Sequence, residues 1–313
     1  MKMKDLKVVF MGTPDFAVPI LETLIENTNV VMVVSQPDAY VGRKKELTET
    51  PVKRIANKHN IEVFQPKKLR EDIAPIIEKK PDIIITCAYG QILPEDLLIR
   101  PLYGCINVHA SLLPEYRGGA PIHHAIINGE NKTGVTIMYM DKNMDTGNII
   151  NSEECLIEDD DNVLTLHEKL SQIGAKLLLR TLPKIIDGTN FDIPQDNEMA
   201  TYAYNITRSD ERLDFNKTSR EVFNKVRGLY PWPLANTIIN DVEVKILKCH
   251  ILEDSRNLSP GTIAILNKKE LGIKTKDGIV LIDRVKPYGK KEMDIVDYIN
   301  GLDKEKVINS IVR

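Results

Sequence analysis

Between Cys105 and Pro121 the chain reads CINVHASLLPEYRGGAP, with Asn107 and His109 two residues apart and Ser111, Pro114, Arg117 and two glycines close behind. On a strand, side chains two apart share a face, so Asn107 and His109 point one way while Ile106 and Val108 point the other. An amide and an imidazole brought to one spot can stabilise a developing oxyanion or move a proton. The same two residues would also suit a hydrogen-bonded strand end without chemistry. Pro114 fixes φ and Gly118-Gly119 permit close backbone approach, so SLLPEYRGGAP is expected to be a rigid loop hugging a ligand. It leads into a helix whose N-terminus favours anions.

A second polar cluster, DKNMDTGNI, spans residues 141 to 149. Asp145 precedes Thr146-Gly147, a composition that presents a carboxylate from a loop or makes an Asx-turn. If Asp145 meets His109, the three side chains form an acyl-transfer site that lacks its own nucleophile, the carboxylate setting the imidazole tautomer or relaying a proton. Other chemistries find no motif. Met11-Gly12-Thr13-Pro14 stands where a dinucleotide fingerprint would, yet no G-x-G-x-x-G follows, and GxxxxGK[ST], GxSxG and HExxH do not occur. His123 and His124 are adjacent on an expected helix and face different directions, which disfavours a shared metal.

Elements to position these residues can be read from periodicity. KVVFMG (7 to 12), NVVMVVSQ (29 to 36), IEVFQ, DIIITCAY (82 to 89), CINVHA (105 to 110) and GVTIMYMD (134 to 141) read as strands. Between them, helices are expected from Thr13-Pro14-Asp15 through Asn27 and from Thr50-Pro51 to about His59, with a long one over about 162 to 186. Near-continuous apolar strands separated by helices imply an α/β fold, a doubly wound, mostly parallel sheet covered on both faces. Ligands bind such sheets at the carboxyl ends of strands, where His109 and Ser111 fall.

DGTNFDIPQDNEMATYAYN (187 to 205) is polar and without apolar periodicity, which suits a linker. TIINDVEVKILKCHIL, GTIAIL and LGIKTKDGIVLIDRV then read as short strands with turns such as Lys276-Asp277-Gly278. A smaller C-terminal domain, either an OB-type β-barrel or an open sheet, is expected. The expected division is residues 1–188, a linker over 189–206, and residues 207–313. A length of 313 residues agrees with two domains.

The net charge of −3 divides unevenly, with −7 over residues 1–206 and +4 over 207–313. A mildly basic second part is compatible with a polyanionic partner. MKMKDLKVVFMGTPDF begins like a signal, but Pro14 and Asp15 end its apolar run early, and no segment approaches the roughly 20 apolar residues of a membrane span. Cys87, Cys105, Cys155 and Cys249 lack metal spacing and read as free thiols. A soluble cytoplasmic protein, monomeric and without a membrane partner, is expected.

H-A-S-L-L-P-x-Y-R-G-G-A-P-I with Asn107 two before the histidine, followed by D-x-x-M-D-T-G, resembles the folate-dependent formyltransferases. GTPDFAVPIL, SQPD…GR…TPVK, AYGQILP (88 to 94) and YPWP (230 to 233) extend the likeness over nearly the whole chain. Together they are similar to the branch of that family acting on methionyl initiator tRNA. The resemblance implies transfer of a formyl group from 10-formyltetrahydrofolate to the α-amine of methionine esterified to tRNA, without a metal. Asn107, His109 and Asp145 would be the catalytic set. Folate would lie along Ser111, Leu112, Leu113 and Pro114 and against Tyr89, Ile92 and Leu93. The loop from Pro37 to Glu49, with Arg43, Lys44 and Lys45, would enter the acceptor stem, although Glu46 and Ala39-Tyr40 depart from the family's more basic pattern. Arg208 matches a basic position, and the C-terminal domain would bind tRNA. Trp232 would either stack on a base or anchor packing.

Two other classes compete. A formyltransferase for a sugar nucleotide or another small amine would keep Asn107, His109 and Asp145 but lack the Arg43 loop and YPWP. A non-enzymatic nucleic-acid-binding protein would have lost one of the three.

Overall fold

The computed structural model describes residues 2–42, 46–308 and 310–312. Fifteen strands are present among them. The first nine are β1 (Lys7–Gly12), β2 (Asn29–Val34), β3 (Ala39–Val41), β4 (Glu46–Thr48), β5 (Val63–Phe64), β6 (Ile83–Cys87), β7 (Cys105–His109), β8 (Lys132–Tyr139) and β9 (Ile149–Leu156). Seven of these form a sheet in the order β5-β2-β1-β6-β7-β8-β9. The strands from β5 to β7 run parallel, while β8 is antiparallel to β7 and β9 to β8. The sheet is thus mostly parallel, as the apolar runs imply. All five residues of β6 and five of six in β1 are buried, the pattern of strands covered on both faces.

The helix after β1 starts later than its sequence suggests, as a short 3₁₀ turn at Asp15–Ala17 followed by Val18–Asn27. Thr13 is not its cap. Its hydroxyl instead donates to the Tyr89 carbonyl at 3.2 Å, tying the loop after β1 to the loop after β6. Thr50 does cap the helix Pro51–Lys58, accepting from the Lys53 amide at 3.3 Å, a contact contributing about 1 kcal/mol.

The stretch from Pro37 to Glu49 contains the hairpin β3–β4, paired from Ala39 with Thr48 to Val41 with Glu46. At its base Asp38 accepts from Gln65 at 2.8 Å and Lys53 at 2.6 Å, and these two partners hold its carboxyl below the usual range.

The chain divides into two compact units. The first comprises residues 1–121, 132–156 and 167–204, and holds this sheet. The second comprises residues 122–131, 157–166 and 205–313. It contains β10 (Ala235–Ile239), β11 (Val242–Glu253), β12 (Ile263–Leu266), β13 (Leu271–Lys274), β14 (Gly278–Pro287) and β15 (Met293–Asp294). They form an antiparallel sheet ordered β10-β11-β14-β13-β12, with β15 beside β14. A helix over Ser219–Gly228 packs Val222 and Val226 into the core of this unit beside Val244, Ile246 and Ile282. Sequence periodicity had not singled it out. Its signal was the capping box Thr218-Ser219-Arg220-Glu221, in which Thr218 Oγ1 accepts from the Glu221 amide and the Glu221 carboxylate accepts from the Thr218 amide.

Candidate active site

The polar face of β7 carries the expected pair. Asn107 stands beside Thr86 in the register of β6 with β7, and Thr86 Oγ1 donates to Asn107 Oδ1 at 2.8 Å. With its oxygen engaged, the amide turns Nδ2 toward Asp145 Oδ1, 3.4 Å away.

His109 closes β7 and is 6% exposed. Its Nε2 lies 3.0 Å from the carbonyl oxygen of Tyr116. A carbonyl only accepts, so the proton is assigned to Nε2 and Nδ1 is the edge left for chemistry. Nδ1 faces Asp145 Oδ2 at 3.8 Å. In the neutral ring a lone pair would then oppose a carboxylate.

Asp145 comes from the loop joining β8 to β9, with a left-handed φ of 55°. Its Oδ2 accepts from the Gly118 amide at 2.9 Å, which binds the two loops of the site together. The Asx-turn falls to Asp141, whose Oδ1 accepts from the Asn143 amide at 2.9 Å. Gly118 has φ 120°, and a Cβ there would stand 2.7 Å from the Ala203 carbonyl. Glycine is required by both conformation and space.

The structure thus brings Asn107, His109 and Asp145 together. Sequence reasoning missed Thr86, the Tyr116 carbonyl and the Gly118 amide. Thr86 had a faint signal, as a threonine closing the apolar run DIII; main-chain groups carry none.

The segments read as folate-binding are more varied. Ser111 is fully buried and its hydroxyl donates to the Glu115 carbonyl at 2.6 Å, so it braces its own loop. The Leu113 amide donates to Thr136 Oγ1, which in turn donates to the Ser111 carbonyl. Leu112 and Pro114 are half-buried. Tyr89 and Leu93 pack into the core cluster with Met11 and Val34, whereas Ile92 is 78% exposed. Burial pushes the Tyr89 phenol up to about 12. Its hydroxyl is buried without a hydrogen-bond partner among the described residues. The backbone there turns through left-handed φ at Ala88 (47°) and Gly90 (86°), and a Cβ at Gly90 would meet just the Gln36 amide at 3.5 Å. Irregular backbone and an exposed isoleucine thus leave main-chain groups and an apolar side chain at the surface of this turn, above the buried Tyr89 ring.

Arg43, Lys44 and Lys45 lie outside the described residues. Arg208, in the second unit, pairs with the carboxylates of Glu211 and Glu243, the latter at 2.6 Å. Trp232 meets His123 edge-on within the second unit, ring centroids 6.0 Å apart, and accepts a contact from His123 Nε2 on its carbonyl at 3.3 Å.

The first unit is thus a mostly parallel α/β sheet with Asn107, His109 and Asp145 gathered at the end of β7, and the second an antiparallel β-sheet. The family profile described as formyl transferase matches residues 6–182, and that described as formyl transferase, C-terminal domain, matches 205–303. The chain belongs to the formyl transferase family. It is 51% identical over 304 residues to the methionyl-tRNA formyltransferase of Staphylococcus epidermidis (strain ATCC 12228), covering 96% of this chain and 98% of the relative. It is 49% identical over 309 residues to that of Staphylococcus aureus (strain MW2), covering 98% and 99%. Among solved structures, an N-formyltransferase from Helicobacter canadensis in complex with folinic acid and dTDP-3-aminofucose shares the fold, with TM-score 0.66, 22% identity, and 90% and 100% of the two chains covered.

Proposed function

We propose that this protein transfers the formyl group of 10-formyltetrahydrofolate to the α-amine of methionyl initiator tRNA in the cytoplasm, as a monomer. The observation that carries the chemistry is the convergence of Asn107 Nδ2, His109 Nδ1 and the Asp145 carboxylate. Identity near 50% over nearly the whole length to methionyl-tRNA formyltransferases supports the acceptor. The likeness to the N-formyltransferase solved with dTDP-3-aminofucose stands at 22%, so the sugar-nucleotide alternative ranks second.

Bound 10-formyltetrahydrofolate supplies an electrophilic formyl carbon. Leu112, Pro114, Ile92 and the backbone of 88–93 would hold it, with Ser111, Leu113, Tyr89 and Leu93 shaping those segments from beneath. Asn107 Nδ2 donates to the formyl oxygen as negative charge grows there. His109, its Nε2 proton held by the Tyr116 carbonyl, works through Nδ1: it accepts a proton as the α-amine attacks the formyl carbon, and Asp145 stabilises the imidazolium. The tetrahedral adduct then collapses by breaking the bond from the formyl carbon to N10, and that proton is delivered, through water, to N10, so that tetrahydrofolate leaves and the formylated amine remains. The first unit carries this chemistry, and 207–313 with Arg208, together with Arg43, Lys44 and Lys45, engage tRNA phosphates.

The test is formyl transfer from 10-formyltetrahydrofolate to methionyl initiator tRNA, to a sugar-nucleotide amine and to free methionine. Transfer to the charged tRNA alone is expected. Transfer to the sugar-nucleotide amine instead would move the protein to the second reading.

A further inference from the structure

The polar run over residues 191–199 is exposed except at Gln195, which is half-buried. The segment around it is strapped to the first unit along its length. Ile193 exchanges both backbone hydrogen bonds with Ile149 at 2.8 Å. Further on, the Arg117 amide donates to the Thr201 carbonyl at 2.9 Å, the Ala203 amide to the Arg117 carbonyl at 2.7 Å, and the Tyr116 amide to Thr201 Oγ1 at 2.8 Å. Both loops that build the site are therefore laced to one stretch of chain.

Gln195 sits where the lacing crosses the site. Its Oε1 accepts from Arg117 Nε at 3.0 Å and Nη2 at 2.8 Å. Its Nε2 donates to the Asp145 carbonyl at 2.9 Å and the Gly147 carbonyl at 2.7 Å. Two bonds accepted and two donated satisfy the whole amide. Arg117 is 1% exposed, and its Nη2 also donates to Asn197 Oδ1 at 3.0 Å. A buried guanidinium on Oε1 polarises the amide and strengthens its donation from Nε2.

We infer that Gln195, anchored by Arg117, is a positioning residue for formyl transfer: it holds the backbone of Asp145 so that the carboxylate stays against His109 Nδ1. Asp145 sits at φ 55°, a conformation that a non-glycine residue keeps only when its surroundings impose it. The Gly118 amide grips the side chain and Gln195 grips the main chain; together they leave the carboxylate one direction. This inference rests on the catalytic assignment of Asp145 made above.

Gln195→Glu separates anchoring from positioning. A carboxylate keeps oxygens for Arg117 but has no N–H for the carbonyls of Asp145 and Gly147. The expected result is a protein that still folds, though less stable than wild type because the new oxygen faces the carbonyls of Asp145 and Gly147, with KM for folate and acceptor within about twofold and kcat down about tenfold to a hundredfold. The pH–rate profile of kcat should also shift, because the geometry of the His109–Asp145 pair has changed. Asn197→Ala, which takes a different oxygen from Arg117, should keep wild-type kcat. Wild-type kcat and pH profile in Gln195→Glu would overturn the inference, as would an equal loss in Asn197→Ala. If Gln195→Glu does not fold, Gln195→Ala is judged by the same split of kcat from KM. Asp145→Asn measured alongside distinguishes the two readings. Full turnover in that variant sinks the catalytic assignment, whereas its loss beside an unimpaired Gln195→Glu sinks only the positioning role.

Discussion

Thr86 donates its hydroxyl to Asn107 Oδ1 at 2.8 Å, and that one bond decides which end of the amide faces Asp145. Contacts of Thr86 Oγ1 to the Ile106 carbonyl at 3.3 Å and Met140 Sδ at 3.2 Å are longer, and a hydroxyl has a single proton to give. Thr86→Val keeps the shape and removes the donor. Turnover should fall about fivefold, corresponding to about 1 kcal/mol of lost orientation, with folate affinity unchanged. A kcat equal to wild type would show that the amide needs no such support.

Asn107→Ala removes the donor itself. Loss of one oxyanion donor should lower kcat by about two orders of magnitude with little change in folate binding. Single-turnover formyl transfer beside equilibrium folate titration separates the two effects, and full activity would remove Asn107 from the mechanism.

Arg43→Ala tests the acceptor rather than the chemistry. Its KM for methionyl initiator tRNA should rise while folate binding stays intact, and the slope of log affinity against log salt should drop by about one phosphate contact. A fall in folate binding would contradict the role proposed for the loop.

His167 packs edge-on against Phe16, ring centroids 5.1 Å apart. Burial lowers its pKa from the ordinary 6.5, outweighing Asp15 and Glu168, whose charges act in the other direction. Just below pH 6.5 the unfolded chain therefore binds this proton more readily than the folded one. The sign follows: stability falls as pH drops from about 6.5 toward the lower folded value, and the contribution is complete above 6.5. Urea midpoints at pH 7.5 and 5.5 should differ less in His167→Gln than in wild type. An identical difference would show that His167 does not contribute.

Much of the architecture was legible because the pattern of apolar residues reports burial on both faces. DIIIT, KVVFM and NVVMVV demanded a covered parallel sheet whatever surrounded them, and Thr50-Pro51 announced a helix start with its own cap. Thr13-Pro14-Asp15 carries similar chemistry, yet Thr13 bonds the Tyr89 carbonyl instead. Local capping lost to a long-range partner that no window of sequence contains. The antiparallel turn of β8 was also hidden, since an apolar run says nothing about the direction of its neighbour.

The candidate site divides along the same line. The period of two along a strand determined that Asn107 and His109 share a face, and glycine and proline determined that a constrained loop must follow. Only the tertiary structure decided that Asp145, 38 residues after Asn107, closes on that pair, that the Tyr116 carbonyl assigns the imidazole proton, and that Gln195 reaches Asp145 from a stretch whose polarity reads as a linker. Side-chain direction within one element follows from local geometry and is written in the spacing of residues. Contacts between loops depend on where the whole sheet brings their ends, and main-chain donors and acceptors look the same in every residue, so their pairing appears only once the chain has folded.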